Sequence, residues 1–191
     1  RRLFPLLQLT RMALVFTAIS NALCTLLIWT VWRRGGSREA VLSSLDWRCV
    51  LAMVLVSTGL YGFGMSLNDI IDRRRDTQIS PNRPLPSGRI GVATAHVICA
   101  ALIALALLAG WLYARWSGQG WMSIVLVAWT AGLIVFYDLA AKYLVALGLL
   151  SLGLIRFFHA VIPAPQLPLL WHPLLLLNRV GGDGNRLEQP L

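Results

Sequence analysis

Residues 49–76 carry the stretch CVLAMVLVSTGLYGFGMSLN followed directly by DIIDRRRD, and this stretch decides the fold. Its first 20 residues are uncharged. An α-helix needs about that length to span the hydrocarbon core of a bilayer. The eight residues that follow hold three acids and three arginines. The abrupt change predicts a membrane helix whose polar end lies at the membrane surface.

Further apolar runs on either side of this stretch extend the same pattern. Residues 12–32, 90–114 and 116–137 are uncharged, and residues 143–162 are interrupted only by Arg156 and His159. Each is about as long as a membrane span. A sixth run, residues 167–178, is too short to span. The sequence therefore predicts an all-α, polytopic membrane helical bundle of five helices and part of a sixth.

Composition supports a membrane protein and argues against a soluble domain or a nucleic-acid-binding protein. The chain is 57% hydrophobic and 13% charged, against about 25% charged residues in soluble domains. Its basic residues are 16 arginines and Lys142, against eight acids. Much of this excess lies between apolar runs, where it anchors helices at the lipid surface and binds anions. We therefore expect membrane lipid, and no nucleic acid, as a partner.

The distribution of basic residues predicts the orientation of the bundle, because cytoplasmic loops are enriched in Lys and Arg. One side would carry nine basic residues, namely Arg1, Arg2, Arg11, Arg73, Arg74, Arg75, Arg83, Arg89 and Lys142. The other side would carry five, namely Arg33, Arg34, Arg38, Arg48 and Arg115. The loop at residues 69–89 is therefore predicted to be cytoplasmic.

The charged end of the first stretch has a spacing that suits a metal site. Asn68, Asp72 and Asp76 lie at i, i+4 and i+8, so they share one helix face, while Asp69 points about 100° away from Asn68. Oxygen ligands beside arginines suit Mg²⁺ together with a polyphosphate. The alternative is a solvated helix end whose acids pair locally with the arginines at 73–75.

Several cations are candidates for binding a diphosphate near these acids. Arg83 follows in the proline-rich loop NRPLPSG at residues 82–88, and Lys142 is on the same predicted side of the membrane. Arg156 lies within an apolar run, where a charge is costly and indicates function or pairing. Arg11 is a further candidate. A solvated loop arginine and a snorkelling helix-end lysine are the structural alternatives for Arg83 and Lys142.

These motifs together resemble a known family. Asn68-x3-Asp72-x3-Asp76 with the NRPLPSG loop resembles the first signature of the UbiA superfamily of intramembrane prenyltransferases. Tyr137-x4-Lys142 and the segment GLIR at residues 153–156 are similar to that family's following segments. The resemblance covers residues 1–178, taken as an incomplete prenyltransferase domain, and leaves residues 179–191 as a polar, glycine-rich tail.

The resemblance implies a fold of about nine membrane helices and transfer of a polyprenyl group from its diphosphate to an aromatic or other lipophilic acceptor. It implies Mg²⁺ as cofactor. Taken with the candidates above, it gives these predicted site residues: Asp72 and Asp76 for catalysis; Asn68, Asp72 and Asp76 as metal ligands; and Arg83, Lys142, Arg11 and Arg156 on the diphosphate. Oligomeric state, acceptor identity and prenyl length stay open.

One departure from the family affects the expected activity. The family carries a second aspartate motif of the D-x3-D type, whereas here Asp138-x3-Lys142 ends in lysine and Asp183 and Glu188 stand in the tail. We therefore expect the chain to be a truncated or frame-shifted fragment that is inactive alone. The alternative is a non-catalytic membrane protein, either a truncated pseudoenzyme or a cation-binding transporter. Transporters place ionisable groups near mid-membrane, whereas these acids lie at a helix end.

Overall fold

The computed structural model describes residues 15–34, 45–118 and 120–165, and none of these residues is in a β-strand. The helices are Val15–Arg34 (α1), Trp47–Ile71 (α2), Arg73–Ile79 (α3), Val92–Ser117 (α4), Met122–Leu139 (α5) and Val145–Val161 (α6), with a 3₁₀ turn at Ala141–Tyr143 between the last two.

The all-α membrane fold predicted from the apolar runs is confirmed. Four helices, α1, α2, α4 and α5, are long and apolar enough to cross a membrane. The fifth predicted span forms α6, an apolar helix of 17 residues. Residues 12–14 of the first predicted span, the short run at 167–178 and the tail at 179–191 lie outside the described residues. The chain is therefore an integral membrane protein.

Helix ends follow from local sequence. Asp46 caps the start of α2, and its carboxylate accepts a hydrogen bond from the Arg48 amide at 2.9 Å. Gly118 ends α4 in the left-handed conformation, with φ of 67°. The short helix α3 ends at Ile79, two residues before Pro81, as the prolines of the following loop predict.

The bundle is built around α2, which packs closely against α4. A Cβ atom on Gly59 of α2 would lie 2.8 Å from the carbonyl oxygen of Leu102 and 2.9 Å from the side chain of Ala106. Only glycine permits this approach of two helix backbones, which is a common device where hydrophobic burial does not drive helix association. The crossing places α2 in the core, where Met53 and Leu60 are almost fully buried.

Large apolar side chains that face away from this core lie on the outer helices. On α6, Val145 is 82% and Leu149 is 67% exposed, and Trp129 on α5 is also exposed. In a membrane protein such a surface faces lipid rather than water. The polar chemistry of the described residues is instead concentrated at one end of α2.

Candidate functional site

The acids follow one another around the last turn of α2 and the start of α3. Asp72 separates the two helices, but the backbone hydrogen bonds continue through it. The Asp72 amide donates to the Asn68 carbonyl at 2.9 Å, and the Asp76 amide donates to the Asp72 carbonyl at 2.9 Å. The near-continuous helix therefore keeps Asn68, Asp72 and Asp76 at helical spacing, as their positions in the sequence predict.

Lys142 reaches this segment from the 3₁₀ turn after α5. Its ammonium nitrogen, Nζ, donates to Asp72 Oδ1 at 2.8 Å and lies 3.3 Å from Asn68 Oδ1. The lysine side chain is 10% exposed and that of Asp72 is 17% exposed, so the ion pair is largely shielded from solvent. Lys142 therefore lies beside Asn68 and Asp72, on the side of the bundle where the sequence places it.

Arg83 approaches the same segment from the loop that follows α3. Its Nη1 atom donates to Asp76 Oδ2 at 2.6 Å and lies 3.5 Å from Asp69 Oδ1. Asp69 and Asp76 are both buried. The ion pairs of Asp72 and Asp76 are therefore with Lys142 and Arg83, whereas the neighbouring Arg74 and Arg75 are exposed.

The expectation that Asp69 stands apart from the other acids is wrong. Asp69 and Asp76 are seven residues apart, which is about 20° from two full helical turns. They therefore share Arg83, while Asn68 and Asp72 share Lys142. Slow drift around the helix divides the single predicted face into two pairs, each with its own cation.

The loop that carries Arg83 is folded rather than extended. The Ser87 amide donates to the Arg83 carbonyl at 3.0 Å, and the Ile90 amide donates to the Pro84 carbonyl at 3.1 Å. Leu85 and Ile90 are buried against Ala95 of α4. Since the backbone on both sides of Arg83 is fixed, the guanidinium group is held in place over the acids.

A cavity of about 330 Å³ opens beside the Asn68–Lys142 pair. Its walls come from α1, α2, α5 and α6, and most of its lining is apolar, including Leu60, Ile134 and Leu152. Asn68 and Asp138 contribute polar groups to the lining. An apolar cavity with a few polar groups suits a lipophilic ligand that has a charged end.

Arg156 also lines this cavity, from the middle of α6. One helical turn further along, His159 is buried, and its Nε2 atom lies 3.1 Å from Ser57 Oγ. Arg156 therefore lies on the cavity wall rather than in the group formed by the acids, Lys142 and Arg83. The remaining predicted diphosphate residue, Arg11, lies outside the described residues.

Asp138, at the end of α5, is a site residue that sequence reasoning did not identify. It is 2% exposed, lines the cavity and lies within electrostatic range of Lys142, Asp72 and Asp69. Its position four residues before Lys142 in the chain was a usable signal. On a helix that spacing places two residues on one face.

The fold and the site together define an all-helical integral membrane protein with paired acids and cations beside an apolar cavity. The UbiA prenyltransferase family model matches residues 39–164, and the chain belongs to that family.

Relatives of the chain are synthases. The chain is 35% identical over 80 residues to the bacteriochlorophyll synthase 33 kDa chain of Rhodobacter capsulatus, covering 42% of this chain and 26% of that protein. It is 36% identical over 109 residues to digeranylgeranylglyceryl phosphate synthase of Sulfurisphaera tokodaii, covering 47% and 39% respectively.

A solved structure of a digeranylgeranylglyceryl phosphate synthase has a similar fold, with a TM-score of 0.72 and 22% identity. The match covers 85% of this chain and 52% of that one. This chain therefore spans between about a quarter and a half of the length of these proteins.

Proposed function

We propose that this chain forms the diphosphate-binding part of a membrane prenyltransferase. The reaction would transfer a polyprenyl group from its diphosphate to an aromatic or other lipophilic acceptor in the bilayer. The observation that carries the proposal is the pairing of Lys142 and Arg83 with four oxygen-bearing side chains beside an apolar cavity. The polar end of the cavity suits a diphosphate, and its apolar walls suit a prenyl chain.

The donor set fits a magnesium ion. Oxygens of Asn68 and Asp72 already converge on one cation, the Lys142 ammonium, so they are arranged to approach a common positive charge. Mg²⁺ binds through one or two carboxylates and takes phosphate oxygens and water for the rest of its shell. Asn68 and Asp72 would hold it in the place of the Lys142 ammonium, and Asp76 would join them by exchanging its contact with Arg83 for the metal. When bound, it would neutralise charge that develops on the departing diphosphate.

The residues of the chain would act together with that charge. Lys142 and Arg83 are positioned to donate hydrogen bonds to diphosphate oxygens, since both have donors beyond those used on the acids. Such donors stabilise the leaving group as negative charge accumulates on it. The apolar walls of the cavity would exclude water from the allylic carbon.

The proposal includes an orientation and a limit on activity. The site end of the bundle would face the cytoplasm, which the excess of basic residues on that side supports. We also propose that the 191-residue chain does not turn over alone, because its acids after Asp138 are only Asp183 and Glu188. These do not form the second aspartate motif that the family resemblance implies.

Binding of geranylgeranyl diphosphate to the purified chain in nanodiscs tests the proposal without requiring turnover. We expect Mg²⁺-dependent binding that weakens at least tenfold in Asp72→Ala, because a metal ligand and the partner of Lys142 are both lost. Arg75→Ala is the matched control, since Arg75 is exposed in the same segment. Mg²⁺ binding without any affinity for the diphosphate would instead indicate a cation-binding protein.

A further inference from the structure

The charged side chains at the site end of the bundle are sorted by sign. Asp69, Asp76 and Asp138 are buried there. Asp72 is largely shielded from solvent in its ion pair with Lys142. Among the described residues at this end, the exposed charged side chains are all arginines, namely Arg74, Arg75 and Arg89. The acids are therefore inside the bundle, and the surface around them carries positive charge.

Helix α3 directs two of these arginines away from the acids. Its buried residue is Asp76, which contacts Arg83 at 2.6 Å. Arg74 precedes Asp76 by two residues, so its side chain leaves the helix about 200° away, on the opposite face. Arg75 is four residues before Ile79, so these two side chains are neighbours on the helix surface. Ile79 is 64% exposed. An arginine beside an exposed isoleucine suits a membrane surface, where the apolar side chain enters the lipid and the charged group stays at the headgroups.

The level of α3 relative to the bilayer follows from its neighbours. Leu139 and Leu144 lie on either side of Lys142 in the sequence, and both are 61% exposed. As exposed apolar residues of a membrane protein they face lipid. Since Lys142 contacts Asp72 at 2.8 Å, the lipid reaches the level of Asp72. The two arginines of α3 follow along a helix whose hydrogen bonds continue through Asp72, a rise of about 3–5 Å. The headgroup layer on each side of a bilayer is about 5–7 Å thick, so both arginines lie within it.

Arg89 lies at the same membrane surface, at the end of the loop that follows α3. It is close in sequence to Val92, where the membrane helix α4 begins. Its guanidinium group donates to the Ser87 hydroxyl at 3.0 Å and to the Asn82 carbonyl, so the side chain is held on the loop while it remains exposed. A third positive charge is thereby fixed close to the headgroups.

We propose that Arg74, Arg75 and Arg89 form a binding surface for anionic phospholipids, with Ile79 entering the lipid beside it. Guanidinium groups bind phosphate through charge-assisted and often bidentate hydrogen bonds, which suits a headgroup phosphate. A zwitterionic headgroup also carries a cation, which the same arginines repel, whereas phosphatidylglycerol carries none. The surface lies outside the cavity and is separate from Lys142, so the inference does not depend on prenyl transfer.

Native mass spectrometry of the purified 191-residue chain tests the proposal, with phosphatidylglycerol and phosphatidylcholine of identical acyl chains as probes. We expect the wild-type chain to bind phosphatidylglycerol at least tenfold more tightly, because each basic residue near an anionic lipid changes affinity by about fivefold. Arg74→Gln/Arg75→Gln should weaken phosphatidylglycerol binding at least tenfold and leave phosphatidylcholine binding unchanged. If this double variant does not fold, the two single variants decide the question, and unchanged phosphatidylglycerol affinity in both would overturn the proposal.

The matched control is Arg48→Gln/Arg115→Gln, which removes the same charge from the other end of the bundle. Each of these arginines lies over the ring of a nearby tryptophan, Trp47 or Trp111. This variant should keep the preference of the wild-type chain for phosphatidylglycerol. An equal loss of preference in both double variants would show that lipid selection follows net charge rather than this surface.

The remaining outcomes also contradict the proposal. Equal binding of the two lipids by the wild-type chain would overturn it. Inorganic phosphate that binds the wild-type chain as tightly as phosphatidylglycerol would show a site for free anions rather than for lipid. Geranylgeranyl diphosphate binding should be unchanged in Arg74→Gln/Arg75→Gln. Its loss in a folded variant would assign these arginines to the diphosphate site, and would contradict this inference without contradicting the proposed function.

Discussion

Replacing Lys142 with methionine tests whether its ammonium group occupies the place of a metal ion. Methionine keeps a flexible chain of similar length but removes the charge and both contacts, at 2.8 Å to Asp72 and 3.3 Å to Asn68. The two side chains of the ion pair are 10% and 17% exposed. The loss should therefore exceed the 0–1 kcal/mol of a surface pair and fall short of the 3–5 kcal/mol of a fully buried one. We expect the free energy of unfolding to fall by about 2 kcal/mol.

The same substitution should change two affinities in opposite directions. Mg²⁺ should bind more tightly without diphosphate, because the lysine no longer competes for the Asn68 and Asp72 oxygens. Geranylgeranyl diphosphate should bind at least tenfold more weakly, because a charged donor is lost. Steric-trapping unfolding in detergent and calorimetric titration measure these quantities. Arg115→Met is the control, since Arg115 lies over the Trp111 ring at the far end of α4.

Unchanged stability together with unchanged Mg²⁺ affinity in Lys142→Met would refute this reasoning. It would show that the lysine is solvated in the membrane and that its contacts to the acids contribute little.

Three further predictions concern the bundle and the rest of the site. Gly59→Ala should lower the unfolding free energy by about 1–3 kcal/mol, because the new methyl group meets the α4 backbone, whereas Gly132→Ala has no atom within 4 Å and should be neutral in the same measurement. Asp76→Asn should weaken geranylgeranyl diphosphate binding more than Asp69→Asn, because Arg83 lies 2.6 Å from Asp76 and 3.5 Å from Asp69; the reverse order would contradict it. An exposed Gln78→Cys should react with an impermeant maleimide only from the cytoplasmic side, and labelling from the other side would overturn the orientation.

The helices could be predicted from sequence because a helix that spans a bilayer needs about 20 consecutive residues with few or no charges. The uncharged run at residues 49–68 became α2, and its actual end at Ile71 differs from the predicted one by three residues. The predicted span ended at residue 68 because the charged residues begin at Asp69, whereas the helix continues to Ile71. Arg83 and Lys142 were singled out from the proline-rich loop and the shared predicted side of the membrane, and both lie beside the acids. Their binding of a diphosphate stays a prediction.

The grouping within the site was harder to predict. Spacing of four residues suggested that Asp72 and Asp76 act together, but each step of four adds 40° of rotation. Over eight residues the drift is enough for a different cation to reach Asp76. Asp138 was missed for another reason. The run at residues 116–137 is apolar all round, so its sequence does not tell which face of α5 meets the cavity.

The two ion pairs, Arg83 with Asp76 and Lys142 with Asp72, differ in how far apart their residues lie along the chain. This difference has a consequence for how the bundle assembles in the membrane. Arg83 is seven residues from Asp76, whereas Lys142 is 70 residues from Asp72. Contacts between near neighbours close small loops and form early. We expect the contact between Arg83 and Asp76 to form while α4 and α5 are still entering the membrane. Asp72 then has no partner until α5 is inserted, so arrival of the lysine would mark the point at which the half-formed bundle becomes able to bind its ligand.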